Sequence, residues 1–265
     1  MMADWKCGCW FTMGHTEPKW LTSNIQCDSP SPAASALKLL IAMDDEDYGD
    51  GNDEPEEIAV GDVGTAFLKG DEYGPNDPRR YVKYKPHKDA KLRVFRLKGS
   101  LYGQSDAPIR WWKTIVHWMT KVQGFEQSKN DVCAFRHPIT RLKVGLHVDD
   151  NMSRGRRDVT KKFWKELDQR FGLKHWGFLE MGKEVTFLGI TLFKDQLQDG
   201  VTVFGMHQNG DIAAYLDEHV DRNALPVKSP MVDRNSMYKD KTLLNEKQAK
   251  SFRSRLMTYW HFMEI

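Results

Sequence analysis

The segment LKVGLHVDDN, residues 142–151, constrains the fold more than any other part of the chain. Apolar side chains occupy every second position of it, at Leu142, Val144, Leu146 and Val148. This alternation predicts a strand with one face directed at a core. Asp149 and Asp150 follow at once, and adjacent carboxylates beside a buried strand repel each other. They are costly to desolvate unless a cation or hydrogen-bond donors accompany them.

Hydrophobic periodicity predicts an α+β fold with an antiparallel sheet backed by helices. We predict a strand from Ile58 to about Val63, a strand at LRVFRL, a hairpin of VCAFRH and RLKVGLHV, and a second hairpin of EVTFLGITLF and GVTVFGMHQ. We predict helices over residues 33–43, 211–222 and 245–264, and two more with N-caps at Ser105 or Asp106 and at Asp158. The last of these has a stripe of apolar residues that we assign to the core, at Val159, Phe163, Leu167 and Phe171.

The net charge of +2 conceals a strongly acidic segment. Residues 44–57, DDEDYGDGNDEPEE, carry nine acids and no base, so removing them leaves +11 on the rest of the chain. That remainder suits a polyanion, with a generally basic surface on a solvated enzyme as the equal alternative. An EF-hand calcium loop beginning at Asp45 would have Asp50 where glycine is required, and one beginning at Asp44 would end at Pro55. We therefore expect an exposed loop.

The cysteines do not have the spacing of a zinc site. Cys7, Cys9 and Cys27 could meet only with His15, in an irregular pattern, so free thiols in a reducing compartment are expected for these and for Cys133. The chain has no apolar run of about 18 residues and no signal-peptide pattern. We expect an intracellular protein, cytoplasmic or nuclear, that does not enter a membrane.

A third acid, Asp62, ends the earlier predicted strand. If both strands end at the same edge of one sheet, Asp62 joins Asp149 and Asp150, and such hard oxygen ligands hold Mg²⁺ or Mn²⁺. Two ions about 4 Å apart can activate a primer hydroxyl and stabilise the leaving pyrophosphate. A hydrolase with a carboxylate pair is the alternative from another class, but its acids stand about 5 Å or more apart and need no metal.

Five motifs occur in a fixed order along the chain. They are DVGTAFL (residues 62–68), SLYGQSDAP (100–108), GFEQSKNDVCAF (124–135), HVDD (147–150) and FLGI (187–190). From about residue 29 to the C-terminus the chain therefore resembles the reverse transcriptase domain of copia-type LTR retrotransposons. The corresponding family patterns are D-V-x-x-A-F-L, S-L-Y-G-x-x-x-A-P, G-F-x-x-S-x-x-D-x-C-x-F, Y-V-D-D and F-L-G-I.

This resemblance implies an RNA-directed DNA polymerase with two divalent ions, Mg²⁺ or Mn²⁺. It makes Asp62 and Asp149 metal ligands, the Val63 carbonyl a further oxygen ligand and Asp150 the third acid. The implied partners are an RNA or DNA template with a DNA primer, a deoxynucleoside triphosphate, and other parts of a retrotransposon polyprotein.

The resemblance also implies nucleotide and primer contacts. Phe67 corresponds to the aromatic that excludes a 2′-hydroxyl beneath the incoming sugar, with a core phenylalanine as the alternative. Tyr102 and Gly103 correspond to the loop against the nucleotide and template, and Leu188 and Gly189 to the hairpin that grips the primer end. We assign Trp111, Trp112 and Trp118 to the core or to covering the sheet, with base stacking as the less favoured alternative.

Two departures from the family pattern bear on activity. His147 replaces the family's tyrosine, and residues 1–28 contain no counterpart of the basic fingers segment, so we expect the fingers to be largely missing. We divide the chain into a poorly specified segment (1–28), a palm (29–180), and a primer-grip-like hairpin with thumb-like helices (181–265). The alternative to an active fragment is a catalytically inactive retrotransposon relic that folds and binds nucleic acid.

Overall fold

The computed structural model describes residues 3–6, 9–12, 29–43, 54–85, 87, 89–219 and 245–264. The predictions for Cys7, His15 and Cys27, for most of the acidic segment, and for a helix beyond residue 219 lie outside these residues. The strands are β1 (Ala3–Lys6), β2 (Cys9–Thr12), β3 (Glu56–Val63), β4 (Tyr81–Tyr84), β5 (Arg93–Arg96), β6 (Glu126–Gln127), β7 (Ala134–Arg136), β8 (Lys143–His147), β9 (Asp150–Arg156), β10 (Leu173–Phe178), β11 (Glu184–Phe187), β12 (Ile190–Gln196) and β13 (Thr202–His207). The helices are α1 (Ala34–Ala42), α2 (Ala107–His117), α3 (Arg157–Phe171), α4 (Asn209–His219) and α5 (Glu246–Glu264), with a 3₁₀ turn at Ala66–Lys69 and a π-helical turn at Trp118–Val122.

A six-stranded antiparallel sheet occupies the centre, in the order β10-β3-β9-β8-β7-β6. A three-stranded antiparallel sheet, β11-β12-β13, and two ribbons, β1-β2 and β4-β5, complete the strands described. The predicted α+β class with antiparallel sheets is confirmed. None of the described helices has the length and apolar character that a membrane span requires.

Helices α2 and α3 cover one face of the six-stranded sheet. Trp111, Ile115, Phe163, Trp164 and other buried side chains of these helices pack on alternate residues of β3 and β8. The stripe predicted on α3 is in this core, because Phe163, Leu167 and Phe171 are buried and Val159 packs against them. The three tryptophans assigned to the core, Trp111, Trp112 and Trp118, also pack here.

The opposite face carries a second core. Ile58 and Val60 of β3 and Met152 of β9 pack with α1 and with the three-stranded sheet, through Leu37, Leu40, Ile41, Phe187, Ile190 and Leu192. A buried ion cluster fixes α1 to this face. Glu56 accepts hydrogen bonds from Lys143 Nζ (2.9 Å) and Arg154 Nε (2.8 Å), and the guanidinium of Arg154 also donates to the Ile41 carbonyl at the end of α1.

Several local predictions were wrong in detail. Strands β4, β6 and β10 were not predicted, and EVTFLGITLF is two strands because Leu188 and Gly189 both adopt positive φ and reverse the chain. Asp158 lies in the first turn of α3 rather than at its N-cap, which is Arg156. Asp106 is at the N-cap of α2, but its carboxylate binds Arg80 and Arg110 instead of the backbone, because these cations are stronger partners than an amide.

Candidate active site

Strand pairing brings the three predicted acids to one end of the six-stranded sheet. Strands β3 and β9 are neighbours, and their register places Asp62 directly opposite Asp150. The Val63 amide donates a hydrogen bond to the Asp149 carbonyl at 2.8 Å, so the turn that carries Asp149 is attached to the end of β3. The adjacency that we expected between two strands far apart in the sequence is therefore present.

The turn that carries Asp149 is strained and closely held. It consists of two residues, Val148 and Asp149, between β8 and β9, and Val148 has a φ of 50°, which is unfavourable for a β-branched residue. Trp111 Nε1 donates to the Val148 carbonyl at 2.6 Å, and Asn151 Nδ2 donates to the Asp149 carbonyl at 3.1 Å. Bonds from α2 and from the neighbouring strand thus fix a backbone conformation that local preference disfavours.

The acids belong to a row of four residues across four strands. The register pairs His147 of β8 with Asp150 of β9, Asp150 with Asp62 of β3, and Asp62 with His175 of β10. Paired residues of an antiparallel sheet point to the same side. That side is the one facing α1, since a Cβ on Gly145, two residues before His147, would contact Leu37 and Leu40. We call these four residues the His-Asp-Asp-His row.

The charges of the row act on one another. Burial raises the pKa of Asp150, and the negative charges of Asp149 and Asp62 raise that pKa further, whereas His147 and His175 oppose the shift. Lys174 Nζ lies 3.3 Å from Asp62 Oδ2, but this lysine side chain is 71% exposed and the pair is screened by water. The repulsion that Asp149 and Asp62 exert on Asp150 is thus offset only in part by the two histidines.

The donor set fits a divalent cation in chemistry. Carboxylate oxygens are the ligands that Mg²⁺ and Mn²⁺ take in proteins, and a cation between these acids would relieve their repulsion. Across the described ranges, no three His, Cys, Asp or Glu side chains are grouped closely enough to hold an ion. Strand pairing therefore places the backbone of the row, and an ion would have to draw its side chains together.

The predicted nucleotide-contacting residues lie together. The rings of Phe67 and Tyr102 have centroids 5.4 Å apart at an interplanar angle of 57°. Phe67 is half-buried and packs against the first core, so its core and binding roles are compatible. Gly103, beside Tyr102, is exposed and has a φ of 82°, a conformation that other residues rarely adopt.

The predicted primer-contacting residues form the two-residue turn between β11 and β12. Leu188 and Gly189 have φ values of 51° and 77°, as a type I′ hairpin turn requires. Leu188 packs against the second core, on the sheet face that carries the His-Asp-Asp-His row. These residues thus lie on the same side of the six-stranded sheet as the acids.

Comparison with known proteins identifies the family. Residues 24–232 match the family described as reverse transcriptase (RNA-dependent DNA polymerase). The chain belongs to this family. The domain is similar to the Transposon Ty1-DR5 and Ty1-LR2 Gag-Pol polyproteins of Saccharomyces cerevisiae, with 24% identity over 171 residues. These residues make up 64% of this chain and 9% of each relative, so the chain spans a small part of the length of the relatives it matches. No solved structure matches. The copia-type assignment made from the motifs is confirmed.

A polar network supports the Tyr102–Gly103 loop, residues 100–106, in this reverse transcriptase domain. Asp106 is fully buried and pairs with Arg80 Nη1 and, at 2.7 Å, with Arg110 Nε. Both guanidinium groups lie over the ring of Tyr73, which itself donates to Gln104 Oε1 at 3.1 Å. This network was not predicted, because Tyr73, Arg80 and Arg110 lie outside the motifs and no sequence pattern connects them with Gln104 and Asp106 of SLYGQSDAP.

Other residues of the site were also missed in the reverse transcriptase sequence. His175 and Lys174 are on β10, which was not predicted, and Trp111 was assigned to packing, with base stacking as the alternative. The signal for Asn151 was available, since it directly follows the two aspartates. No sequence signal indicated that a tryptophan in α2 would bind the turn that carries Asp149.

Proposed function

We propose that this chain is the palm of a copia-type reverse transcriptase and catalyses nucleotidyl transfer at Asp62, Asp149 and Asp150. The observation that carries the proposal is the apposition of Asp62 and Asp150 with Asp149 in the adjoining turn. Two Mg²⁺ or Mn²⁺ ions bound there would activate the primer hydroxyl and neutralise charge on the leaving pyrophosphate. Asp62, Asp149 and the Val63 carbonyl would hold them, with Asp150 adjacent.

The neighbouring residues would position the substrates. The Phe67 ring would lie beneath the incoming sugar, and the Tyr102–Gly103 loop would contact the nucleotide and template. Leu188 and Gly189 would contact the primer end from the hairpin between β11 and β12. The buried contacts of Asp106 and Gln104 support these roles, because they hold the loop in one position before substrate arrives.

Primer extension tests the catalytic proposal. The 265-residue chain is incubated with oligo(dT) on poly(rA) and labelled dTTP, with Mg²⁺ or Mn²⁺. Asp62→Asn and Asp149→Asn keep side-chain size but remove ligand charge, and each should abolish extension. Asp211→Asn, an exposed acid of α4, should extend as the unaltered chain does. Equal extension by the two site variants would refute the assignment.

A basic ribbon favours a second candidate function, nucleic-acid binding without catalysis. Residues 79–98, which include β4 and β5, contain nine Lys or Arg and one acid, Asp89. The register pairs Tyr81 with Arg96 and Lys83 with Val94, and all four side chains are exposed. Cations interleaved with an exposed aromatic are typical of surfaces that bind single-stranded nucleic acid.

The ribbon is attached to the Tyr102–Gly103 loop. The Leu97 amide donates to the Arg80 carbonyl at 2.9 Å, and the Arg80 side chain pairs with buried Asp106. The Tyr73 amide donates to the Lys98 carbonyl at 2.6 Å. A strand bound along the ribbon would therefore lie near Tyr102 and Gly103. This geometry supports a template path that leads from the ribbon toward the acids.

Salt-dependent binding tests the ribbon. Binding of labelled single-stranded RNA is measured by fluorescence anisotropy at salt concentrations from about 50 to 300 mM. The logarithm of the binding constant should fall with the logarithm of the salt concentration, with a slope of roughly 0.7 per phosphate contact, because each contact releases counterions. Lys83→Glu with Arg96→Glu should weaken binding and flatten the salt slope. The matched control is Lys161→Glu with Lys165→Glu on the exposed side of α3, across the sheet from the acids. Equal losses in both variants would show that only net charge matters.

A further inference from the structure

We propose that His147 supplies a nitrogen ligand to the ion site, so that the site prefers Mn²⁺ to Mg²⁺. This inference rests on the proposed function, because it concerns the ions assigned to Asp62, Asp149 and Asp150. It starts from the His-Asp-Asp-His row, in which both acids of the strand pair are flanked by imidazoles.

The position of His147 brings it within reach of the acids. It is paired with Asp150 across the β8–β9 hairpin, directly before the turn that carries Asp149. Paired residues of an antiparallel sheet have Cβ atoms about 4.5–5.5 Å apart, so rotation of the side chains alone can bring an imidazole nitrogen and a carboxylate to one ion.

The environment of His147 leaves its ring available. The side chain is half-buried, and its Nδ1 atom is buried without a hydrogen-bond partner. Buried polar atoms are nearly always paired in proteins, and an unpaired one needs an explanation. A ring that binds a metal through one nitrogen normally donates from the other, so an ion would give this imidazole a defined tautomer and role.

Ligand chemistry determines the preference. Mg²⁺ requires near-ideal octahedral geometry and takes oxygen ligands, whereas imidazole suits transition metals. A nitrogen from His147 added to the carboxylate oxygens of Asp62, Asp149 and Asp150 therefore shifts the site away from Mg²⁺ and toward Mn²⁺.

His175, at the other end of the row, provides a matched control. It is opposite Asp62, but it is exposed on the edge strand β10. Its neighbour Lys174 holds a positive charge 3.3 Å from the Asp62 carboxylate, which disfavours a cation at that end. We therefore assign the nitrogen ligand to His147 alone.

Pulsed electron paramagnetic resonance of Mn²⁺ bound to the full chain tests the proposal without any need for activity. Electron spin echo modulation from a directly bound ¹⁴N nucleus should appear in the unaltered chain and in His175→Phe. It should be absent in His147→Phe and in the more polar His147→Gln, which covers the case in which the phenylalanine variant does not fold. Mn²⁺ affinity should fall about tenfold in both His147 variants, with Mg²⁺ affinity unchanged.

The outcomes separate this inference from the proposed function. Mn²⁺ that binds the unaltered chain without ¹⁴N modulation, and less tightly in Asp62→Asn and Asp149→Asn, overturns the role of His147 and leaves the carboxylate site standing. Modulation that persists in the His147 variants assigns the nitrogen elsewhere and also overturns it. If neither ion binds, or if the aspartate variants bind as well as the unaltered chain, the ion site itself is refuted.

Discussion

At the scale of single residues, Asp150 is the acid of the site whose ionised form the fold disfavours. It is half-buried, its pKa is raised by burial, and Asp149 and Asp62 add repulsion. An acid whose pKa is raised on folding favours the folded state when it is protonated. The stabilising effect of protonating Asp150 is therefore fully present below the pKa that this carboxyl has in the unfolded chain, about 4. It is lost as the pH rises through the higher pKa that the carboxyl has in the folded protein.

Asp150→Asn should consequently stabilise the ion-free protein at neutral pH. The amide keeps the shape and removes the charge, so the midpoint of thermal unfolding should rise by about 2 °C at pH 7 and the gain should disappear near pH 3. Calorimetry across this pH range measures it, with Asp211→Asn as an exposed control. A gain that grows in acid would have the wrong sign for a carboxyl with a raised pKa.

Lys174 competes with any cation for Asp62. Its ammonium is 3.3 Å from the Asp62 carboxylate but largely exposed, so the pair contributes little to stability. Lys174→Met should therefore leave unfolding unchanged and increase Mn²⁺ affinity about two- to fivefold, since an exposed ion pair is worth up to about 1 kcal/mol. Titration by electron paramagnetic resonance measures this, with Lys161→Met as the control. Weaker binding in the variant would mean that Lys174 does not oppose the ion.

At the scale of elements, Gly61 sets how closely β3 approaches its neighbours. A Cβ at this position would lie 2.6 Å from a ring atom of Trp164 and 2.6 Å from Trp176 Cβ. The two tryptophan rings stack at 5.7 Å, one from α3 and one from β10. Because Asp62 is the next residue, the approach of β3 to this pair helps to fix the position of the acid.

Gly61→Ala should therefore destabilise the protein by about 1–3 kcal/mol, the usual cost of overpacking a core. Chemical denaturation measures this loss. Gly177→Ala in β10 is the matched control, since a Cβ there would have no heavy atom within 4 Å, and it should change stability by less than about 1 kcal/mol. Equal destabilisation of both variants would show that the close contacts of a Cβ at Gly61 do not decide the outcome.

The ion cluster of Glu56, Lys143 and Arg154 should be sensitive to removal of the Glu56 carboxylate. All three side chains are buried, and the carboxylate of Glu56 pairs with both cations. Glu56→Ala leaves two buried positive charges without their acid and should cost about 3–5 kcal/mol in denaturant unfolding. Glu180→Ala, which breaks the exposed pair with Lys183, should leave the midpoint unchanged. A small loss in Glu56→Ala would mean that water enters the cluster.

The elements also show what local sequence could predict. The α3 stripe could be predicted because Phe163, Leu167 and Phe171 repeat every four residues, and all three are buried. Strand β10 could not be predicted, because Lys174 and His175 are exposed and a register shift between Leu173 and His175 interrupts its alternation. With β10 unrecognised, His175 could not be placed beside Asp62. The pairing of Asp62 with Asp150 came from the order of the motifs, since no local pattern encodes a contact between distant strands.

At the scale of the whole molecule, the six-stranded sheet has a hydrophobic core on each face, and the acids lie on only one of these faces. One face carries α2 and α3 and the first core, and the other carries the His-Asp-Asp-His row, α1 and the hairpin of Leu188 and Gly189. Composition indicated an excess of basic charge outside the acidic segment but not its location. The basic charge is located by the pairing of β4 with β5, which exposes the cations. This pairing could not be predicted, because β4 has no distinct apolar periodicity.

The position of β3 between β9 and β10 also determines when the site can form during synthesis. Strand β3 ends at Val63, but residues 64–178 must be translated before both of its neighbours exist. At about 5–20 residues per second, the strand waits on the order of 10 s with the apolar side chains of Ile58, Val60 and Val63 unpaired. A nascent chain of this length is therefore open to chaperone binding or to pairing with another unfinished copy. Translation interrupted before Asp150 leaves a chain in which Asp62 has met neither Asp150 nor His175, and interruption between β9 and β10 leaves it with Asp150 alone.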